Sequence, residues 1–126
     1  MTNEEIDNMP AGREMDALVV EKIFDKKVCH CDAGSIMCAF GPGHCLTCDG
    51  WIPKLHSTSI SAAWEVVEKF ECLYLFRCVS GPFEGKYECK LVFEEGPDND
   101  KRRFYAVAET APLAICRAGL RTVAQK

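Results

Sequence analysis

The stretch that most restricts the fold of this chain is residues 29–48, CHCDAGSIMCAFGPGHCLTC, which holds five cysteines and two histidines. Neither the alternation of a strand nor the period of a helix runs through it. An irregular segment of about 30 residues is uncommon inside a compact domain unless something holds it in place. We therefore expect a Cys-rich insertion at 27–56 within a single domain that spans 1–126.

The cysteine spacing in this segment is typical of a structural zinc site. Such sites take four Cys or His ligands in a tetrahedron, often supplied as two close pairs. A C-x-x-C pair followed by Gly50 forms one half, and a C-x-C pair forms a weaker second half. The predicted ligands are Cys29, Cys31, Cys45 and Cys48, and the possible replacements are Cys38, His30 and His44.

Two other interpretations of the cysteines stay open. Reduced thiols often serve as small buried apolar residues, and disulfides would be expected in an oxidising compartment. The chain has nine cysteines, so they cannot all pair within one molecule. The four cysteines outside the insertion fall on apolar faces and are expected in the core: Cys72, Cys78, Cys89 and Cys116.

Charge and hydropathy exclude several classes of protein. The net charge is −4 and the chain has no long basic stripe, which argues against binding to duplex nucleic acid. Its apolar runs are far shorter than the ~20 residues that cross a membrane. The acidic N-terminus does not resemble a secretory signal, so we expect a cytoplasmic protein.

Apolar periodicity predicts three long helices, at about 11–25, 59–70 and 111–124. Thr2 and Glu5 have the spacing of a capping box, which predicts a short helical turn before them all. The apolar stripe expected to face the core in the second long helix consists of Ile60, Ala63, Trp64, Val67 and Phe70.

Between the last two helices, three segments have strand character: 72–80, 86–95 and 103–109. Short turns rich in Gly and Pro join them, which favours an antiparallel meander. Helices packed on such a sheet give an α+β domain, layered as an α-β-α sandwich.

Three stretches of the chain, PAGREMDALVVEKIF (10–24), STSISAAWEVVEKF (57–70) and AETAPLAICRAGL (108–120), closely resemble the phage ABA-sandwich domain family of small bacteriophage and prophage proteins. The resemblance covers nearly the whole chain in order, interrupted by the Cys-rich segment. It implies an α-β-α layered domain in the cytoplasm of a host cell. It carries no catalytic or ligand-binding residue onto this chain, and the insertion departs from simpler members with a shorter link.

No enzyme motif accompanies these patterns. Phosphate-binding glycine loops, the G-x-S-x-G nucleophile turn and the H-E-x-x-H metal motif are all missing. The H-x-E and P-C-x-x-C pattern of zinc deaminases is missing too. We therefore expect a protein that is not an enzyme.

The first functional hypothesis is a phage-encoded binding protein that counters host defence by sequestering a nucleotide immune signal, as a homo-oligomer. Arg77, Arg102 and Arg103 are the expected anion contacts, although a basic run beside a turn is often simply solvated. The alternative is a zinc-stabilised module that binds a host or phage protein, with Phe40, Trp51 and Ile52 as exposed anchors.

Overall fold

The structure is a computed structural model, and it describes residues 2–29, 43–45, 50–95 and 100–124. It describes the backbone alone at 43–44, 71–73, 93–95 and 100–102.

The described residues form four α-helices, of which the last has the predicted bounds and the second and third lie within theirs. They are α1 (Asn3–Asn8), α2 (Arg13–Leu18), α3 (Ile60–Val67) and α4 (Ala111–Ala124). A π-helical turn, Val19–Ile23, extends α2. The predicted capping box is confirmed at α1, because the Thr2 hydroxyl accepts from the Glu5 amide and the Glu5 carboxylate accepts from the Thr2 amide.

Two antiparallel sheets are present. A small hairpin pairs β1 (Gly43–His44) with β2 (Trp51–Ile52) inside the Cys-rich insertion, where no strand was predicted. The larger sheet is the predicted meander and has the order β3-β4-β5. Its strands are β3 (Glu71–Arg77), β4 (Tyr87–Glu95) and β5 (Asp100–Ala108).

Helix α4 lies at the centre of the molecule. It packs on all three strands of the larger sheet and also contacts α1, α3 and the π-helical turn. Every residue from Leu113 to Leu120 is buried as a result. Gly119 allows the closest approach, since a Cβ there would come within 2.8 Å of Ile23 and 2.9 Å of Val66. The α+β fold class is confirmed, and the arrangement is consistent with an ABA sandwich.

A buried polar contact joins α2 to the residues that precede α3. Asp16, 3% exposed, accepts hydrogen bonds from both the amide and the hydroxyl of Ser57, each at 2.7 Å. The Ser57 hydroxyl in turn accepts from the Gly12 amide at 2.9 Å. This contact closes the base of the insertion, because the two residues lie on either side of it.

The structure corrects three details of the predicted core. Ile60 and Trp64 are 50% and 48% exposed, because α3 turns Ala63, Val66 and Val67 inward instead. Cys78 is only half-buried, because β3 ends at Arg77 and Cys78 lies at the end of the sheet, where its amide donates to the Lys86 carbonyl. Within the described part of the chain, none of the helices combines the length and apolarity that crossing a bilayer requires.

Candidate functional site

A cavity of about 430 Å³ opens between the end of α2, strand β2 and helix α3. We call it the Trp51 pocket. Its apolar wall consists of Val20, Phe24, Trp51 and Ile52. Its charged and polar lining consists of Lys26, Lys54, His56, Glu65, Glu68 and Lys69. The volume lies within the range of ~300–1,000 Å³ that is usual for small-molecule sites.

Irregular backbone places Phe24 and Lys26 at the pocket. The Phe24 amide donates to the Val19 carbonyl at 3.3 Å, which is the π-helical bond. The Lys26 amide donates to the Val20 carbonyl at 3.1 Å, and Asp25 between them has a φ of 52°. A left-handed residue just past the last turn is a usual end of a helix, but glycine normally occupies that position. π-Helical turns and left-handed non-glycine residues both cluster at functional sites.

The opposite wall is built on the Cys-rich insertion. The Trp51 amide donates to the Lys27 carbonyl at 2.7 Å, and the Trp51 carbonyl accepts from the Cys29 amide at 2.8 Å. Val28 and Trp51 thereby pair as an isolated parallel bridge beside the hairpin. The Lys26 ammonium lies 3.7 Å from the centroid of the Trp51 ring. Hydrogen bonds therefore hold the backbone of Trp51, and a lysine ammonium lies over its indole ring.

Gly50 makes this close strand pairing possible. A Cβ at Gly50 would lie 2.7 Å from the Cys29 nitrogen and 2.8 Å from the Val28 carbonyl carbon. These are backbone atoms, so they cannot move aside as the end of a flexible side chain can. Residue 50 must be glycine because the two backbones touch.

At the floor of the pocket, His56 and Lys54 converge on one carboxylate. His56 Nε2 lies 3.4 Å from one oxygen of Glu65, and the Lys54 ammonium donates to the other. The His56 side chain is 3% exposed, and its ring centroid is 5.4 Å from that of Phe24. Its Nδ1 has no hydrogen-bond partner among the described residues.

The environment moves the pKa values of this pair in known directions. Burial lowers the pKa of His56 below 6.5, although the nearby Glu65 and Asp16 carboxylates oppose the shift. The hydrogen bond from Lys54 lowers the pKa of Glu65. At neutral pH the ring is therefore uncharged, Glu65 is ionised, and the Nδ1 lone pair is a buried acceptor.

This combination of groups is suited to binding. The rings of Phe24 and Trp51 offer flat apolar surfaces, and the three lysines outnumber the two glutamates of the described lining, so its net charge is positive. Among the described lining residues there is no hydroxyl or thiol for His56 to activate as a nucleophile.

The predicted zinc ligands are only partly visible. Cys45 is 1% exposed and its amide donates to the Gly50 carbonyl at 2.7 Å, while Cys29 is half-buried beside Trp51. The segment Gly50–Trp51 thus holds the backbones of both cysteines. Cys31 and Cys48 lie outside the described residues, as do Cys38 and His30, and only the backbone of His44 is described. No three metal-binding side chains cluster within the described ranges.

The predicted anion contacts do not converge. Arg77 pairs with Tyr87 and Arg103 with Val92, so the two arginines lie five residues apart along β4, about 17 Å. Both are exposed, and the register places them on opposite faces of the sheet. Arg102 lies within β5 next to Arg103, and only its backbone is described. Neither Arg77 nor Arg103 is among the described residues that line the Trp51 pocket.

Sequence reasoning did not identify the Trp51 pocket, because its residues come from three separate segments. The one available signal was KIFDKK at 22–27, where an acidic residue stands at a helix end that usually carries glycine.

Comparison with known proteins places the fold. The model of the phage ABA sandwich domain matches residues 17–120. A crystal structure of a phage protein from Bacillus cereus ATCC 14579 is similar over 89% of this chain and 86% of that one, with a TM-score of 0.58 and 25% sequence identity. A search of curated proteins finds no match. The family match spans more than half of the chain and the structural likeness extends across nearly all of it, so the chain belongs to the phage ABA sandwich domain family.

Proposed function

We propose that this phage protein binds a small anionic molecule with a planar ring, such as a nucleotide, in the Trp51 pocket and releases it unchanged. The biological version of the proposal is counter-defence, in which the protein sequesters a nucleotide signal of the host's immunity. The observation that carries it is the presence of two aromatic rings and three lysines around one cavity of about 430 Å³.

The chemistry of a nucleotide complements this lining. A base gains about 1–3 kcal/mol by stacking on an aromatic side chain, and this gain tolerates any base. Lysine ammonium groups act as point charges for phosphate. The Lys26 ammonium over Trp51 occupies the place of a ligand ring, so binding would move it from the indole to the phosphate. The His56 Nδ1 acceptor suits an N–H or O–H of the ligand.

Binding without turnover is supported by what the lining offers. His56 is neutral and held by Glu65, and the described lining residues include no hydroxyl or thiol beside it. Neither the pocket nor the sequence motifs supply an activated nucleophile.

We also propose that structural zinc holds the wall that carries Trp51. Cys29 and Cys45 both bond through their amides to Gly50–Trp51, and a metal shared by their thiolates would lock that contact. Zinc would then act on the ligand only by keeping the indole in place.

A ligand panel tests the main proposal. Purified protein is mixed with cyclic dinucleotides, ADP-ribose, ATP and AMP, and thermal stability is followed while chromatography recovers the ligand. We expect a thermal shift with at least one of them and quantitative recovery of intact ligand. If none of these ligands produces a thermal shift, the nucleotide proposal is wrong. If the recovered ligand has been converted into another compound, the protein is an enzyme.

Variants connect such a shift to the pocket. Trp51→Ala and Lys69→Ala should weaken binding about tenfold or more through lost stacking and lost charge. Lys22→Ala is the matched control, because Lys22 is also an exposed lysine of the same region but does not line the pocket. If Lys69→Ala and Lys22→Ala weaken ligand binding equally, the affinity depends on the overall charge of the protein and not on the pocket.

A second candidate is favoured by the surface beside the hairpin. Leu55, Ile60 and Trp64 are 63%, 50% and 48% exposed, and the last two lie one turn apart on α3. Single exposed apolar residues are ordinary, but a cluster with a tryptophan is typical of protein interfaces. In this alternative these residues, rather than the half-buried Trp51 and Ile52, bind a host or phage protein. Loss of a cross-linked partner in Trp64→Ala, with nucleotide binding unchanged, would support it.

A further inference from the structure

A buried arginine lies far from the Trp51 pocket, on the other side of α4. Arg117 is 8% exposed. Its Nη1 donates to the Val107 carbonyl and its Nη2 to the Met9 carbonyl, both at 3.1 Å. Its Nε is buried and has no partner among the described residues.

The charge of Arg117 is less well compensated than that of its neighbours. Arg121, one turn further along α4, is bonded to the Asp7 carboxylate, and Lys86 lies 3.9 Å from Glu109. For Arg117, the acceptors that the structure describes are two neutral carbonyls. A guanidinium has five N–H donors, and leaving them buried without partners is unfavourable. The two carbonyls explain the position of Arg117, but they leave its charge without a carboxylate partner and its Nε hydrogen without an acceptor.

Arg117 belongs to the lining of a cavity of about 370 Å³. We call it the Arg117 cavity. Arg117, Arg121 and Lys86 contribute positive charge to it, whereas Asp7, Glu88 and Glu109 contribute negative charge. Two of those three carboxylates already pair with Arg121 and Lys86.

The entrance of the Arg117 cavity is aromatic. Phe83 and Tyr105 line it and are 47% and 55% exposed. Phe83 comes from the turn between β3 and β4, and Tyr105 from the middle of β5. Two half-exposed rings beside a buried cation offer an apolar surface and an anion-binding group in one place.

We propose that the Arg117 cavity is a second binding site, for a small organic acid whose carboxylate or phosphate reaches Arg117 while its ring lies against Phe83 and Tyr105. The oxyanion supplies the charge and the acceptors that Arg117 lacks. The site is separate from the Trp51 pocket and shares no lining residue with it.

Titration with simple probes tests this site in the full chain. Benzoate and phenyl phosphate carry both features, and acetate and inorganic phosphate carry the oxyanion alone. We expect saturable binding of a ring-bearing probe to the Arg117 cavity at low salt, and NMR or calorimetry measures it. Comparing benzoate with phenyl phosphate decides between carboxylate and phosphate. Absence of saturable binding for all four probes would overturn the proposal.

Two classes of variant locate the bound probe. Arg117→Gln should weaken every probe about tenfold or more. Phe83→Ala should weaken the ring-bearing probes several-fold and leave acetate and inorganic phosphate unchanged. Lys22→Ala is the control and should bind all four probes like the original protein, because this exposed lysine lines neither cavity. Probe binding that Lys69→Ala removes belongs to the Trp51 pocket, which keeps this test distinct from that of the proposed function.

If Arg117→Gln fails to fold, Phe83→Ala and Tyr105→Ala carry the test, because both side chains are half-exposed. Binding that is indifferent to both of these substitutions lies elsewhere and overturns the proposal.

Discussion

The carboxylate of Asp16 accepts both the amide and the hydroxyl hydrogen of Ser57, at 2.7 Å each, and so joins two residues that are 41 positions apart. The whole Cys-rich insertion lies between them. These hydrogen bonds therefore hold together the two points of the domain where the insertion begins and ends.

Removing the hydrogen bonds between Asp16 and Ser57 should destabilise the protein strongly. Asp16→Ala leaves the buried Ser57 amide without an acceptor, and we expect a loss of about 3 kcal/mol in the free energy of unfolding. Ser57→Ala keeps the amide bond and should cost about 1.5 kcal/mol. Urea unfolding followed by circular dichroism measures both. Glu21→Ala, at an exposed site, should change stability by less than about 0.5 kcal/mol, and an equally small change in Asp16→Ala would contradict the assignment.

Stability should fall as the pH falls below 6.5, because of His56. Burial lowers its pKa in the folded protein, whereas in the unfolded chain it stays at about 6.5. Between these two values the unfolded state binds more protons, so the free energy of unfolding decreases with decreasing pH. The contribution of the uncharged His56 ring to the free energy of unfolding is complete above pH 6.5. It is lost as the pH falls below that value. Urea unfolding between pH 7.5 and 5.5 should show this slope, and His56→Gln should flatten it. Identical slopes in the two proteins would show that His56 is not responsible.

Metal analysis tests the zinc proposal directly. Protein purified under reducing conditions should contain about one zinc per chain, and Cys45→Ser or Cys48→Ser should lose it. Cys78→Ser is the control, because this half-buried thiol lies outside the insertion and should keep full zinc content. Chelation should weaken ligand binding at Trp51 while the helical signal persists, because Asp16 and Ser57 hold the base closed. Protein without metal would show that the cysteine cluster has another role.

Replacing Gly119 by alanine should destabilise the protein, even though alanine has the higher helix propensity. The substitution gains about 1 kcal/mol in helix propensity, but overpacking against Ile23 and Val66 costs about 1–3 kcal/mol. We expect Gly119→Ala to be destabilising by roughly 1 kcal/mol. Val66→Ala removes one of the two close contacts, so the same change should cost less in that background. A cost that is equal in both backgrounds would place the strain elsewhere.

The sequence predicted the fold well where one local pattern had one solution. The spacing of Thr2 and Glu5 allows their side chains and amides to bond reciprocally only in a capping box. The short turns rich in Gly and Pro connect the strands only as an antiparallel meander. Helix α3 shows the limit. Its apolar residues cover more than one face, so periodicity did not distinguish the buried Val66 from the exposed Trp64.

The candidate sites were less predictable because they depend on contacts between distant segments. Phe24, Trp51 and His56 become neighbours only after α2, the hairpin and α3 have packed. The i, i+4 pair Arg117 and Arg121 was visible in the sequence, but its partners Val107, Met9 and Asp7 were not. Spacing does not show which of two like charges will be buried without a carboxylate.

The central position of α4 has a consequence for how the chain acquires its structure during synthesis. The sheet, α1 and α3 each bury apolar surface against this helix, which is the last element of the fold to be translated. Contacts such as the one between Met9 and Arg117 span 108 residues, and long-range contacts of this kind slow folding. The nascent chain therefore has no complete core until α4 is available. We infer that the domain folds as a unit once α4 has been synthesised, rather than piece by piece.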